Sequence, residues 1–235
     1  MTEPLLSAQG IVRRYAGGAG VVAVRGASLS LRPKEFVALM GPSGSGKTTF
    51  IGVLAGLDAP DEGEVRWHGE PLPAGRAAVA LRRTGIGVVF QSFGLLPTLT
   101  AVENVELPLR VGRVDLPQAR ERSLAWLERL GLADRADNRT FELSAGQQQR
   151  VAVARALIAE PEVVIADEPI AEVDTENADL ILEALWDVIR RGGAVLAATH
   201  NPEALRYAST VVLFRDGKVE RTGTPGEIAE HLTTD

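Results

Sequence analysis

The run Gly41-Pro42-Ser43-Gly44-Ser45-Gly46-Lys47-Thr48-Thr49 restricts this chain to a small set of folds. An apolar segment, Phe36 to Met40, precedes it and reads as a buried strand, while Phe50 to Leu57 follows and reads as a helix. Strand, glycine-rich turn and helix in that order build a phosphate cradle. The glycines let backbone N–H groups curl around phosphate oxygens, and the helix N-terminus adds partial positive charge. Gly41, Ser43, Gly44, Ser45, Gly46 and Thr49 would shape the cradle. Lys47 would reach the β- and γ-phosphates, and the Thr48 hydroxyl would bind Mg2+. The chain has only three lysines, so a chance lysine at this position is a weak competitor. The expected ligand is a nucleoside triphosphate.

Composition narrows the class further. A length of 235 residues suits one large α/β domain, or a core with a subdomain. The formal charge of −6 argues against a nucleic-acid partner, because phosphate-backbone binders carry a basic excess. With no cysteine, disulfides and thiolate metal sites are excluded, which fits a reducing compartment. Met1-Thr2-Glu3-Pro4 lacks the charged-then-apolar profile of a signal peptide. No apolar run approaches the ~20 residues that span a bilayer. The expectation is a soluble, cytoplasmic protein that meets a membrane only through a partner.

Along the chain the hydrophobic period changes twice. Ile11 to Tyr15 and Val21 to Leu31 read as a hairpin around Ala16-Gly17-Gly18-Ala19-Gly20. Glu64 to Trp67 reads as a further strand with a turn at His68-Gly69-Glu70, and Gly85 to Phe90 as a buried strand ending at Gln91. From about Ala101 to Glu160 the pattern is helical, most clearly over Leu116 to Leu130 and over Ser144 to Ala159, capped by Ser144. Strands return at Val163 to Ala166, Ala194 to Thr199 and Thr210 to Phe214, with a helix from Glu176 to Arg191. A helical block is therefore inserted between two halves of an α/β core, and only a short polar tail lacks pattern.

Two further motifs carry chemistry. The apolar run Val163 to Ala166 ends in Asp167-Glu168, two carboxylates where an enzyme with a phosphate cradle needs them. Asp167 would hold Mg2+ through water or Thr48, and Glu168 would polarise the attacking water. Just upstream, Leu143-Ser144-Ala145-Gly146-Gln147-Gln148-Gln149-Arg150 opens a helix whose N-terminus offers amides and a hydroxyl to phosphate. This segment resembles the signature motif of ATP-binding cassette (ABC) ATPases, usually Leu-Ser-Gly-Gly-Gln. Taken with the cradle and the acidic strand end, the resemblance covers the whole chain.

The resemblance implies a P-loop NTPase (RecA-like) α/β core, an N-terminal antiparallel β-subdomain and an inserted helical subdomain. Residues 1–91 and 161–235 would form the core with the β-subdomain, and 92–160 the helical subdomain of one ABC ATPase domain. It implies ATP and Mg2+ as ligands, with Thr48, Gln91 and Asp167 around the metal. Gln91 would also sense the transmembrane partner. Glu168, His200 and Lys47 would act in hydrolysis, with His200 on the γ-phosphate and Tyr15 stacked on adenine. Ser144, Ala145, Gly146 and Gln147 would touch ATP held by an opposite subunit, and Asp174 would communicate across that dimer. The second cassette would be an identical chain or a different one, and both would lie on the inner face of the cell membrane under integral-membrane permease subunits. His68 and His231 read as structural or solvated.

Within the family, Phe93 to Leu109 is similar to ATPases that serve lipoprotein release, macrolide-type export and bacterial cell division. It would line a groove for the permease's coupling helix, with some side chains spent on subdomain core. Four positions depart from the family pattern: Lys34 and Ala145 stand for glycines, Ile170 for threonine and Asn201 for aspartate. None removes Lys47, Asp167, Glu168 or His200, so a competent site is expected. A non-transport ABC regulator of a cell-envelope or division complex shares every motif. A soluble ABC protein acting on DNA or ribosomes is disfavoured by the single cassette without a heptad arm, and a GTPase by the lack of Asn-Lys-x-Asp.

Overall fold

A computed structural model describes residues 3–15, 20–73 and 75–234. Met1, Thr2 and most of the expected hairpin loop, 16–19, lie outside the described residues, as does the side chain of His231. The hairpin itself forms: β1 (Leu6–Tyr15) pairs antiparallel with β2 (Val21–Leu31), Tyr15 opposite Val21. β3 (Phe36–Met40) leads into α1 (Lys47–Leu54), followed by β4 (Glu62–Trp67), β5 (Glu70–Pro71), α2 (Gly75–Thr84) and β6 (Ile86–Val89). The helical block comprises α3 (Ala101–Val111), α4 (Leu116–Arg129) and α5 (Ala145–Leu157). Then come β7 (Val163–Asp167), α6 (Thr175–Arg190), β8 (Ala194–Ala198), β9 (Thr210–Arg215), β10 (Lys218–Gly223) and α7 (Pro225–Thr234).

The strands form two sheets. β2-β1-β4-β5 is antiparallel, and β10-β9-β3-β8-β7-β6 is parallel except for β10 at its edge. Both faces of the second sheet are covered, so its strands run apolar without polar alternation. Period two still sorts them: Val163 and Ile165 pack with Phe50 and Leu54 of α1, while Val164 and Ala166 pack with α5 and α6. The neighbouring order β3-β8-β7-β6 brings four parallel strand ends to one edge. They deliver the phosphate loop, Thr199-His200, Asp167-Glu168 and Gln91 to the same place. Open α/β sheets bind ligands at that edge.

Caps set the inserted helices. Thr100 and Glu103 form a capping box on α3, and Ser144 and Gln147 form one on α5. The fully buried Asn104 accepts from Leu96 N–H at 2.8 Å and donates to the carbonyl oxygens of Leu96 and Thr100, fixing the loop that follows Gln91.

Four elements depart from the sequence reading. α2, which carries Arg76, Arg82 and Arg83 and buries Ala78, was not read as a helix. β10 is a polar edge strand, and α7 buries Ile228 as its contact to the core. β1 starts five residues before Ile11 because register shifts between Ala8 and Val12 break its alternation.

Candidate active site

The cradle is built by close backbone approach. Gly46 caps α1 at φ 100°, and a Cβ there would lie 2.2 Å from the Ala23 carbonyl oxygen, so only glycine fits. The Lys47 ammonium lies almost buried under the loop, donating to the carbonyls of Gly41 at 2.7 Å and Pro42 at 3.0 Å. The buried Ser45 hydroxyl has no hydrogen-bond partner among the described residues. These groups open on a cavity of about 720 Å3, a size that suits a nucleotide.

One cavity gathers most of the expected residues: Tyr15, Ser43, Gly44, Ser45, Gly46, Lys47, Thr48, Thr49, Gln91, Asp167 and Glu168. Gly41 takes part through its carbonyl. Val21, Val22, Ala23, Arg25, Asp216 and Gly217 also line it and were missed by sequence reasoning. The Asp-Gly pair between two apolar runs is a turn signal that could have flagged the last two. That turn is pinned to the loop by Gly217 N–H on the Ser45 carbonyl at 2.8 Å.

The two carboxylates take different environments. Asp167 ends β7, and burial pushes its carboxyl up, with the Glu168 charge adding to the shift. A hydrogen bond from the Thr48 hydroxyl and the Lys47 charge oppose it. Glu168 lies past the strand at φ 51°, a left-handed conformation that costs a glutamate about 1–3 kcal/mol. This backbone turn separates the pair, held by Glu168 N–H on the Ala198 carbonyl at 2.8 Å. Glu168 Oε1 lies 2.8 Å from His200 Nδ1, and buried Oε2 has no hydrogen-bond partner among the described residues. An ionised carboxylate only accepts, so Nδ1 carries the proton, and the 72% exposed ring leaves Nε2 toward solvent. Thr48 and Asp167 offer hard oxygen donors and Gln91 lines the same cavity, a set that suits Mg2+.

Ser144, Ala145, Gly146, Gln147 and Asp174 do not line this cavity. Ser144 Oγ accepts from Gln147 N–H, and Ser144 N–H donates to Gln147 Oε1, a capping box on α5. Asp174 caps α6, and its carboxyl is held low chiefly by the Asn177 N–H. The departures are absorbed locally. Ala145 occupies the first turn of α5 at negative φ, whereas a Cβ on Gly146 would lie 2.7 Å from the Glu172 carbonyl oxygen. Alanine therefore stands at the tolerant glycine of the pair. We expect Ala145→Gly to shift unfolding by under about 1 kcal/mol and Gly146→Ala to destabilise by about 1–3 kcal/mol, read by urea denaturation. Ile170 joins the apolar core, Asn201 still accepts from Glu203 N–H, and Lys34 adopts the left-handed φ of the glycine it replaces.

Comparison with known proteins agrees with the fold. The family described as ABC transporter matches residues 24–171. The lipoprotein-releasing system ATP-binding protein LolD of Maricaulis maris is 43% identical over 221 residues, covering 92% of this chain and 96% of that protein. The macrolide export ATP-binding/permease protein MacB of Syntrophobacter fumaroxidans is 42% identical over 96% of this chain, which spans 33% of that protein. A solved dimeric ATP-binding cassette in a post-hydrolysis state, bound to ADP and Pi, superposes with a TM-score of 0.89. It is 35% identical, over 93% of this chain and 98% of that one. By this match and by identity across nearly its whole length, the chain belongs to the ABC transporter family, as one of its ATP-binding, ATP-hydrolysing subunits.

Proposed function

We propose that two copies of this chain close around two ATP molecules, each held between the cradle of one copy and the signature helix of the other. The observation that carries this reading is the split site. Lys47, Thr48, Asp167 and Glu168 share one cavity, while the N-terminus of α5, capped by Ser144, does not line it. A second copy supplies what the cavity lacks, and the dimeric cassette at TM-score 0.89 supports that arrangement.

In that sandwich Lys47 exchanges the carbonyls of Gly41 and Pro42 for phosphate oxygens, and Ser45 gains the partner it lacks. Thr48, Asp167 and Gln91 would hold Mg2+, which neutralises charge on the phosphates. The buried Glu168 Oε2 accepts a hydrogen bond from the attacking water. His200 holds the other oxygen, so the carboxylate keeps one orientation. Closure excludes bulk water and strengthens each of these interactions.

Residues 92–160 would move as a helical subdomain that carries this closure to a permease. A groove of about 290 Å3 beside that block is floored by Leu57, Phe90 and Pro108 and edged by Arg82, Arg83 and Arg155. Arg155 of α5 donates to the carbonyls of Gly94 and Phe93, linking the signature helix to the loop after Gln91. Some of Phe93 to Leu109 is core, such as Val102, Val105 and Leu109, and some, such as Leu96, is exposed. Among the described residues no helix is long and apolar enough to cross a membrane. We therefore assign the chain to the inner membrane face through a separate permease of the lipoprotein-release or macrolide-export type. Tagged Glu168→Gln chain, purified from native membranes with ATP in mild detergent, should bring down a stoichiometric integral-membrane protein. Recovery of the chain alone would remove the permease.

A further inference from the structure

Tyr15 closes one end of the cavity from the last position of β1, and 43% of it is exposed. A ring so placed needs something behind it to hold one orientation. The structure supplies two side chains there. The Tyr15 hydroxyl donates to Asp58 Oδ2 at 3.0 Å, and Arg13 Nε donates to the same oxygen at 2.8 Å. The Arg13 guanidinium lies 4.8 Å from the centroid of the Tyr15 ring, covering a face. Tyr15 lines the cavity, whereas Arg13 and Asp58 are not among its lining residues.

The clamp is anchored in turn. Asp58 Oδ1 accepts from Ala59 N–H, and Asp58 N–H donates to the Gly52 carbonyl of α1. Arg13 also reaches Asp61 at 3.4 Å, whose N–H bonds the Val12 carbonyl. Burial pushes the Asp58 carboxyl up, but the bonds from Arg13 and Tyr15 outweigh it and hold the carboxyl low, so the acceptor stays charged. The helix that begins with Lys47 at the phosphates thus ends beside the carboxylate that fixes the ring.

We infer that Arg13 and Asp58 are positioning residues that pre-set Tyr15 for stacking on the nucleotide base, tying base recognition to the helix that starts the phosphate cradle. This rests on the reading that Tyr15 stacks on the base. With the cation over one face of the ring, the other is left for the ligand, and ordering is completed before binding.

Calorimetry of the full chain with ADP and with pyrophosphate tests the clamp, because pyrophosphate has no base to stack. Asp58→Asn and Arg13→Gln should each weaken ADP binding by roughly threefold and leave pyrophosphate affinity unchanged. In a Tyr15→Ala background, Asp58→Asn should add nothing. Equal losses for both ligands, an unchanged loss in the Tyr15→Ala background, or no loss at all would overturn the inference. If Tyr15→Ala alone leaves ADP affinity unaltered, the stacking reading falls and the clamp falls with it.

Discussion

Replacing Glu168 by glutamine should leave ATP binding intact and cut steady-state turnover by at least about a hundredfold, the scale of a lost general base. The geometry makes this substitution selective. Glutamine keeps the shape of the side chain, and its amide can still meet His200, so the left-handed turn at φ 51° need not change. What disappears is the charge on the oxygen that has no hydrogen-bond partner among the described residues. A phosphate-release assay at saturating ATP, beside a binding isotherm, separates the two effects. Wild-type turnover in this variant would move the attacking-water role elsewhere.

Lys47→Ala is expected to act earlier, on binding itself. Its ammonium is the one cation of the loop, nearly buried, and it donates to the carbonyls of Gly41 and Pro42. Removing a buried, hydrogen-bonded charge partner costs about 2–5 kcal/mol, or roughly thirty- to several-thousand-fold in affinity for ATP. The loss should fall on ATP and pyrophosphate alike, because Lys47 meets phosphate oxygens and not the base. Retained affinity for both ligands would mean that the backbone amides of the loop and α1 carry the anion alone.

The chemistry was legible where it follows from local sequence. Gly46 and Lys47 announce the cradle because a strand, a sharp turn and a helix start leave few other uses for that order. Asp167 and Glu168 were legible as a pair, but the reason they diverge was not: the positive φ at Glu168 depends on the Ala198 carbonyl, a contact made across the sheet. The hairpin, the signature helix and the parallel strands were readable from period and caps. β10 was not, since its mostly polar, exposed residues leave no strand pattern, and neither was α2, a ten-residue helix between two strands. Arg13 and Asp58 were invisible too. They are 45 positions apart and meet only because β1 pairs with β4 beside the end of α1.

Sedimentation velocity of the Glu168→Gln chain, with ATP and with ADP, tests the two-copy sandwich most directly. We expect a monomer with ADP and a dimer with ATP, the dimer being lost on Ser144→Arg. A monomer with saturating ATP at all protein concentrations would contradict it.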